Sequence, residues 1–97
     1  MKKENAFQSG LIREIEKRYP GCTVLKNDAG YIQGIPDLLI LYKKHWAALE
    51  CKRAKDASHQ KNQDYYIDKL NRDSFARFIS PENKKEVLDE LSQSFGA

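Results

Sequence analysis

The chain has 97 residues and a mass of 11.2 kDa, which suits one domain spanning residues 1–97 and leaves no room for two independent cores. Hydrophobic residues make up 40% and charged residues 32%, so the chain is polar, yet it has too many aromatic and branched residues to be disordered. The net charge of +3 is compatible with a nucleic-acid partner but does not identify one. No apolar run approaches the roughly 20 residues that span a bilayer, and no apolar leader follows the basic start, which favours a cytoplasmic protein without membrane contact.

The first quarter of the chain predicts a helix and a short strand. Across residues 3–18 the apolar side chains recur at every fourth position, as in an amphipathic helix: they are Phe7, Leu11, Ile15 and Tyr19. Pro20-Gly21 ends this helix. The next four residues, 22–25, favour a first strand, and a turn follows at 27–30.

Two apolar segments, 38–42 and 46–49, come next. Both are apolar on their two alternating faces, so we expect central strands that are covered on both sides. The only polar interruption between them is Lys43-Lys44-His45, and the simplest connection is therefore a tight hairpin.

The second half of the chain predicts helix, strand and helix. Asp56 or Ser58 is a candidate cap for a helix running to about Leu70, residues 75–79 favour a fourth strand, and Ser80-Pro81 is typical of the start of a last helix. The third and fourth strands are then joined by a β-α-β crossover, which makes a parallel pair, while the first three strands form an antiparallel meander. The predicted fold is an α/β (α+β) single domain with a mixed four-stranded sheet flanked by helices, in the order α-β-β-β-α-β-α.

The hairpin groups three charged residues. If it centres on Lys43-Lys44, Asp37 lies opposite Glu50 on the neighbouring strand. Because side chains alternate along a strand, Glu50 and Lys52 share a face, while Cys51 points the other way. The same register brings Asp37 to the face of Glu50 and Lys52.

Two acids on central strands are costly to bury unless their charge is neutralised, and one lysine offsets only part of it. Mg²⁺ favours oxygen ligands and commonly binds one or two carboxylates, water and a substrate phosphate, which suits Asp37, Glu50 and a neighbouring backbone carbonyl. Lys52 then either orients the attacking water or stabilises charge that develops on phosphorus. The alternative is a surface ion pair between Glu50 and Lys52 with Asp37 merely following a proline, but acids within the two most apolar segments favour a site.

These residues resemble a known family. Gly34-Ile35-Pro36-Asp37, a hydrophobic strand, a short turn and Glu50-Cys51-Lys52 look like the signature of the PD-(D/E)XK nucleases. Within that superfamily, the segments 33–38 and 63–70 look most like the small phage and bacterial VRR-NUC-type nucleases, which are similar to Holliday junction resolvases. The resemblance extends from Glu4 to about Leu91 and implies a restriction-endonuclease-like core.

The resemblance also implies roles for individual residues. Asp37 and Glu50 would bind Mg²⁺, with Mn²⁺ as a substitute, together with the backbone carbonyl of Cys51. Lys52 would be the catalytic lysine. The helical glutamine of the family matches Gln63 in this sequence, with Gln60 as the weaker match. Many members add a glutamate from the first helix, for which Glu4 is the best match; a frayed, solvated acid is the alternative there.

Candidate DNA contacts flank the predicted site. Residues 52–61 hold four cations and one anion, which includes Arg53, Lys55 and Lys61 directly after the site. Lys26, Asn27 and Gln33 lie in or beside the loop that leads to Asp37, where Gly34 would let the backbone approach DNA closely. Phosphate contacts of this kind add affinity without reading sequence.

The sequence therefore predicts a metal-dependent DNA endonuclease that hydrolyses phosphodiester bonds in branched or duplex DNA, directed by structure or only weakly by sequence. Because so small a unit covers little DNA, we expect a homodimer or higher homo-oligomer. The expected setting is the cytoplasm of a bacterium or of a phage-infected host cell. Two alternatives stay open: a non-catalytic DNA-binding or assembly protein on the same scaffold, and a nuclease subunit that needs a helicase or another replication or recombination partner.

Overall fold

In the computed structural model, which describes residues 3–28 and 30–96 and the side chains of α1 from residue 6 onward, three helices and four strands follow one another in the predicted order. The elements are α1 (Lys3–Arg18), β1 (Thr23–Lys26), β2 (Leu38–Tyr42), β3 (His45–Cys51), α2 (Gln63–Asp73), β4 (Ala76–Ile79) and α3 (Lys84–Phe95). The predicted α+β fold with one mixed four-stranded sheet is confirmed.

The sheet has the strand order β1-β2-β3-β4. The pairs β1–β2 and β2–β3 are antiparallel, and β3–β4 is parallel, as the crossover through α2 requires. Tyr42 pairs with His45 and Leu38 with Leu49, so the predicted hairpin register is confirmed. Lys43 has a φ of 56°, a positive value at the first central position, as type II′ hairpin turns require.

The main core lies between one face of the sheet and the helices α1 and α3. Their apolar stripes pack against alternate residues of the two central strands, and the fully buried side chains include Leu11, Ile15, Tyr19, Leu38, Ile40, Ala47, Leu49, Leu88 and Leu91. An ion pair of 2.9 Å between Lys84 Nζ and Glu14 Oε1 joins α3 to α1 at the rim of this layer. Within the described part of the chain, none of the helices combines the length and the apolar composition needed to cross a bilayer.

The opposite face of the sheet is covered only in part. Helix α2 packs over β3 and β4, where Ile67 contacts Ala48 and Ala76. The same face of β1 and β2 lies beyond the helix, so Leu25 and Leu41 are 44% and 39% exposed. The prediction that both central strands are covered on both faces is thus correct for the second half of β3 and wrong for β2.

Two helix starts also differ from the prediction. Helix α2 begins at Gln63 and not near Asp56 or Ser58, because Asn62 has a φ of 70° and cannot continue a helix backward. Helix α3 begins at Lys84, since Asn83 Oδ1 accepts a hydrogen bond from the backbone N–H of Ser80 and closes a turn over residues 80–83. The ten residues between Lys52 and Gln63 therefore form a loop, which lies beside the candidate site.

Candidate active site

Asp37 stands at the entrance to β2, and the end of β1 holds it in place. The backbone N–H of Asn27 donates to the carbonyl of Asp37 over 2.7 Å, and Asn27 Nδ2 donates to the carbonyl of Pro36 over 2.8 Å. Asn27 was predicted to contact DNA. In the structure its side chain is half-buried and braces the Pro36-Asp37 backbone, a role that residue type alone does not reveal.

The side chain of Asp37 points to β3. Its Oδ2 accepts a hydrogen bond from the backbone N–H of Cys51 over 3.0 Å. The last pair of β2 and β3 is Leu38 with Leu49. Continuing the same antiparallel register by one residue places Asp37 opposite Glu50. Both features agree with the predicted juxtaposition of the two acids. The side chain of Cys51 lies in the main core on the other face, and the backbone N–H of this residue reaches Asp37.

Glu50 and Lys52 lie on the α2 face of β3 and are buried, with 5% and 7% of their surfaces exposed. Lys52 Nζ lies 3.9 Å from Glu50 Oε2. Gln63, the first residue of α2, joins the two: its Nε2 donates to Glu50 Oε2 over 3.0 Å, and its Oε1 accepts from Lys52 Nζ over 2.6 Å. The glutamine that the resemblance singled out thus bridges the predicted acid and the predicted lysine.

The loop after β3 completes this network with backbone groups. The carbonyl of Ser58 accepts a hydrogen bond from Lys52 Nζ over 3.1 Å, and the backbone N–H of Gln60 donates to Gln63 Oε1 over 2.8 Å. These contacts were not predicted, because any residue type supplies the same backbone groups. Gln63, and not Gln60, is thus the glutamine whose side chain bonds both Glu50 and Lys52.

A polar cavity of about 240 Å³ opens over the buried pair. Its lining comes from β3, the following loop and the start of α2: Glu50, Lys52, Arg53, Ala57, Ser58, Gln60 and Gln63. The buried acid and lysine therefore line a cavity that opens to solvent. Arg53, a predicted DNA contact, lies in the wall of this opening.

The loop that precedes Asp37 packs against the start of α2. Gly34 has a φ of 91°, and a Cβ placed on it would lie 2.6 Å from Asn62 Cβ and 2.8 Å from the carbonyl oxygen of Lys61. The absence of a side chain at Gly34 thus permits close approach to the chain itself. Gly34 therefore brings the two candidate DNA-binding loops together, and its contact with DNA stays a prediction.

The other predicted DNA contacts are exposed and lie on these two loops or at the end of β1: Lys26, Gln33, Arg53, Lys55 and Lys61. Lys55 also donates its backbone N–H to Glu82 Oε1 over 3.2 Å, which ties the middle of its loop to the turn before α3. Arg53 lines the polar cavity, and Lys55 and Lys61 follow it on the same loop.

A larger, apolar cavity of about 510 Å³ lies on the same face of the sheet, over β2 and β3. It is bounded by Asn27, Asp28, Tyr31, Ile32, Ile35, Leu39, Trp46, Ala48 and Leu70. Ala48 precedes Glu50 by two residues on β3, so the apolar cavity and the candidate site are neighbours. Together with Leu25 and Leu41, this cavity forms an uncovered apolar surface at the β1–β2 side of the sheet.

The donor set suits a hard divalent cation in part. Asp37 and Glu50 offer carboxylate oxygens, and with Lys52 they leave a formal charge of −1, which a divalent cation and one phosphodiester would bring to zero. Among the described side chains, no group of three or more His, Cys, Asp and Glu residues is arranged to hold a metal ion. Two carboxylates, water and substrate phosphate are nevertheless a common Mg²⁺ environment. The predicted third acid, Glu4, has its side chain outside the described part of the chain.

The candidate site therefore holds one acid just before β2, a second acid and a buried lysine at the end of β3, and a glutamine that links the lysine to the second acid. Comparison of the chain with protein-family models, with curated proteins and with solved structures gives no match.

Proposed function

We propose that the protein is a divalent-metal-dependent endonuclease that hydrolyses phosphodiester bonds in DNA, of the PD-(D/E)XK type that its Pro36-Asp37 and Glu50-Cys51-Lys52 segments resemble. The observation that carries the proposal is the buried Glu50–Gln63–Lys52 network, open to solvent through a polar cavity, with Asp37 fixed beside it. Lysine and glutamate are almost never fully buried unless they are paired, and a buried ionisable pair that lines a cleft is a candidate functional site.

Asp37 and Glu50 would hold the metal ion, with the backbone carbonyl of Cys51 as a further ligand; Mg²⁺ is the expected ion and Mn²⁺ a substitute. When bound, such an ion supplies Lewis-acid polarisation of the phosphate and lowers the pKa of a water ligand. Lys52 would orient the attacking water or stabilise the charge that develops on the phosphate oxygens. Gln63 would hold the side chains of Lys52 and Glu50 in place through its hydrogen bonds to each of them.

DNA would lie across the loop after β3, against Arg53, Lys55 and Lys61. These side chains are long and exposed, so they would bind phosphates without reading bases. Cleavage directed by DNA structure, for example at a junction or branch, follows from that lack of base contacts. The reaction would take place in the cytoplasm of a bacterium or phage-infected cell, alone or with a helicase or another replication or recombination protein.

The proposed active form is a homodimer. One domain of this size covers a single strand of DNA around one site, and two copies related by a twofold axis would place two sites on a duplex or junction. The uncovered apolar surface around Leu25, Leu41 and the apolar cavity supports association, because exposed apolar patches of this kind are typical of protein interfaces.

A non-catalytic role is the second candidate, and one observation favours it. Lys52 donates to both Ser58 and Gln63 within the protein, so this lysine has hydrogen-bond acceptors without a substrate or ion. On this alternative, the acids and the lysine stabilise the fold of a DNA-binding or assembly protein, and no bond is cut.

Cleavage assays separate the two. Purified protein is incubated with labelled four-way junction, flap, nicked and linear duplex DNA in Mg²⁺ or Mn²⁺, beside the variants Asp37→Asn and Lys52→Met. The matched control is the pair Asp89→Asn and Lys85→Met, which removes an exposed ion pair of 2.7 Å on α3, on the other side of the sheet.

The proposal expects cleavage by the wild-type protein and by both controls, and a loss of about 10²–10³-fold or more in each site variant, the usual effect of removing one charge-stabilising group. DNA binding without cleavage by the wild-type protein in either metal would favour the non-catalytic alternative. Cleavage that survives in both site variants would contradict the assignment of these residues.

A further inference from the structure

Three consecutive residues of the loop after β3 contact the candidate site or its surroundings. Ser58 offers its carbonyl to Lys52 Nζ, and Gln60 offers its backbone N–H to Gln63 Oε1. Both contacts are made by backbone groups. They therefore form only when the loop itself has a fixed position. Among the described contacts of these three residues, only the side chain of His59, the residue between them, contacts α2 and β4.

His59 makes two contacts. Its Nδ1 lies 2.7 Å from Asp64 Oδ1, and its ring stacks on Phe78 with centroids 3.9 Å apart and planes 18° from parallel. A carboxylate accepts hydrogen bonds only, so Nδ1 carries the proton and donates. Asp64 stands in the first turn of α2, where the helix dipole favours a negative charge, directly after Gln63.

Phe78 links the ring of His59 to the site. It pairs with Glu50 in the parallel register of β3 and β4, and Lys52 Nζ lies 6.0 Å from the centre of its ring. His59 is thus fastened at one end to the helix that starts with Gln63, and at the other to the strand residue beside Glu50. Its neighbours in sequence, Ser58 and Gln60, are consequently presented to Lys52 and Gln63.

We infer that His59 is a positioning residue: by holding Asp64 and Phe78, it fixes the loop so that the Ser58 carbonyl and the Gln60 amide orient Lys52 and Gln63. This inference rests on the proposed nuclease function for its effect on catalysis, but its structural part does not. Sequence spacing does not reveal the contact between His59 and Asp64, because the two residues are five positions apart across a turn and not on one helix.

The test uses His59→Ala, with His45→Ala as the matched control. His45 is also an exposed histidine stacked on a phenylalanine, Phe95, but it lies at the start of β3, next to the hairpin and away from the acids. Asp64→Ala and Asp64→Asn form a second pair, since asparagine keeps an oxygen that accepts the Nδ1 proton and alanine does not.

Steady-state cleavage and limited trypsin digestion are measured for each variant. Arg53, Lys55 and Lys61 are exposed trypsin sites within the loop, and Lys69 and Arg72 within α2 serve as an internal measure of global unfolding. If trypsin cuts the loop sites faster and the helix sites at an unchanged rate, the loop opens locally without unfolding of the whole protein.

We expect His59→Ala and Asp64→Ala to lower kcat about tenfold with KM within about twofold, as for a group that orients the reacting site and not one that binds DNA. Both should speed trypsin cleavage in the loop by a similar factor, while His45→Ala and Asp64→Asn stay close to wild type. Unchanged loop digestion in His59→Ala overturns the inference. If the wild-type protein cuts no DNA, faster loop digestion in His59→Ala upholds the positioning of the loop while the nuclease proposal fails.

Discussion

Asp37 Oδ2 accepts a hydrogen bond of 3.0 Å from the backbone N–H of Cys51, so a side chain at the entrance to β2 is fixed against the end of β3. This bond sets where the first acid stands relative to the second, because Glu50 precedes Cys51 on the same strand. It also places Asp37 next to the Glu50–Gln63–Lys52 network, from which the proposed chemistry follows.

The side chain of Gln63 should contribute to the free energy of unfolding, and the side chain of Gln60 should not. Gln63→Leu removes two side-chain hydrogen bonds from buried partners, which we expect to lower the free energy of unfolding by about 1–3 kcal/mol. Gln60→Leu changes an exposed side chain and keeps the backbone contact, so a change within about 0.5 kcal/mol is expected. Urea denaturation measures both, and equal effects would contradict the assignment of Gln63 as the bridging residue.

Gly34 should tolerate no side chain. In Gly34→Ala, a positive φ is combined with a Cβ that would lie 2.6 Å from Asn62 Cβ, so the loop before Asp37 must move. Gly21 is the matched control, because its φ is 90° and nothing lies within 4 Å of the added atom. We expect Gly21→Ala to cost about 1–2 kcal/mol from backbone strain alone and Gly34→Ala to cost clearly more. Equal melting temperatures for the two variants would show that the two loops do not pack as described.

The salt dependence of DNA binding should depend on the cations of the loop after β3. The slope of log K against log salt is negative. In Lys55→Ala/Lys61→Ala, each lost phosphate contact should make it less steep by about 0.9 for duplex DNA. Lys43→Ala/Lys44→Ala removes the same charge from the hairpin at the other end of β2 and β3 and should leave the slope almost unchanged. Fluorescence anisotropy over a salt series measures both. A larger change in the hairpin variant would place the DNA elsewhere.

The protein should associate through its uncovered sheet face. We expect a dimer in sedimentation equilibrium, and Leu41→Lys should shift it to monomer because it puts a charge into the apolar surface. Tyr65→Lys is the control, since Tyr65 is an exposed apolar residue, 58% accessible, on α2 outside that surface. A wild-type protein that sediments as a monomer both free and bound to DNA would contradict the proposed dimer.

Much of the fold followed from local sequence patterns. The apolar runs on either side of Lys43-Lys44 fixed the hairpin register, because a single polar interruption allows few alternatives, and the register then brought Asp37 to Glu50. The start of α2 could not be predicted, since Asn62 adopts a positive φ that allows the preceding loop to reach Lys52 and Gln63. The exposed face of β2 was missed for a related reason: which strands a crossover helix covers depends on its lateral position, and apolar composition does not encode that.

Within the candidate site, residue type and spacing predicted the side chains but not the backbone partners. Glu50, Lys52 and Gln63 were singled out, and the structure joins them by direct contacts. The carbonyl of Ser58 and the amide of Gln60 left no trace in the sequence, because every residue has those groups. The contact of Asn27 with the Pro36 carbonyl was not predicted either, since an amide side chain donates to a protein carbonyl as readily as to a phosphate.

Location of a bound metal tests the central claim most directly. Crystals of the wild-type protein and of Asp37→Asn are soaked in Mn²⁺, and anomalous difference maps are collected for both. We expect one strong peak in direct contact with the carboxylates of Asp37 and Glu50, at roughly the 2.1 Å seen for small divalent ions, and its loss in the variant. A wild-type map without a peak between those two carboxylates would contradict the account of this protein as a metal-dependent nuclease.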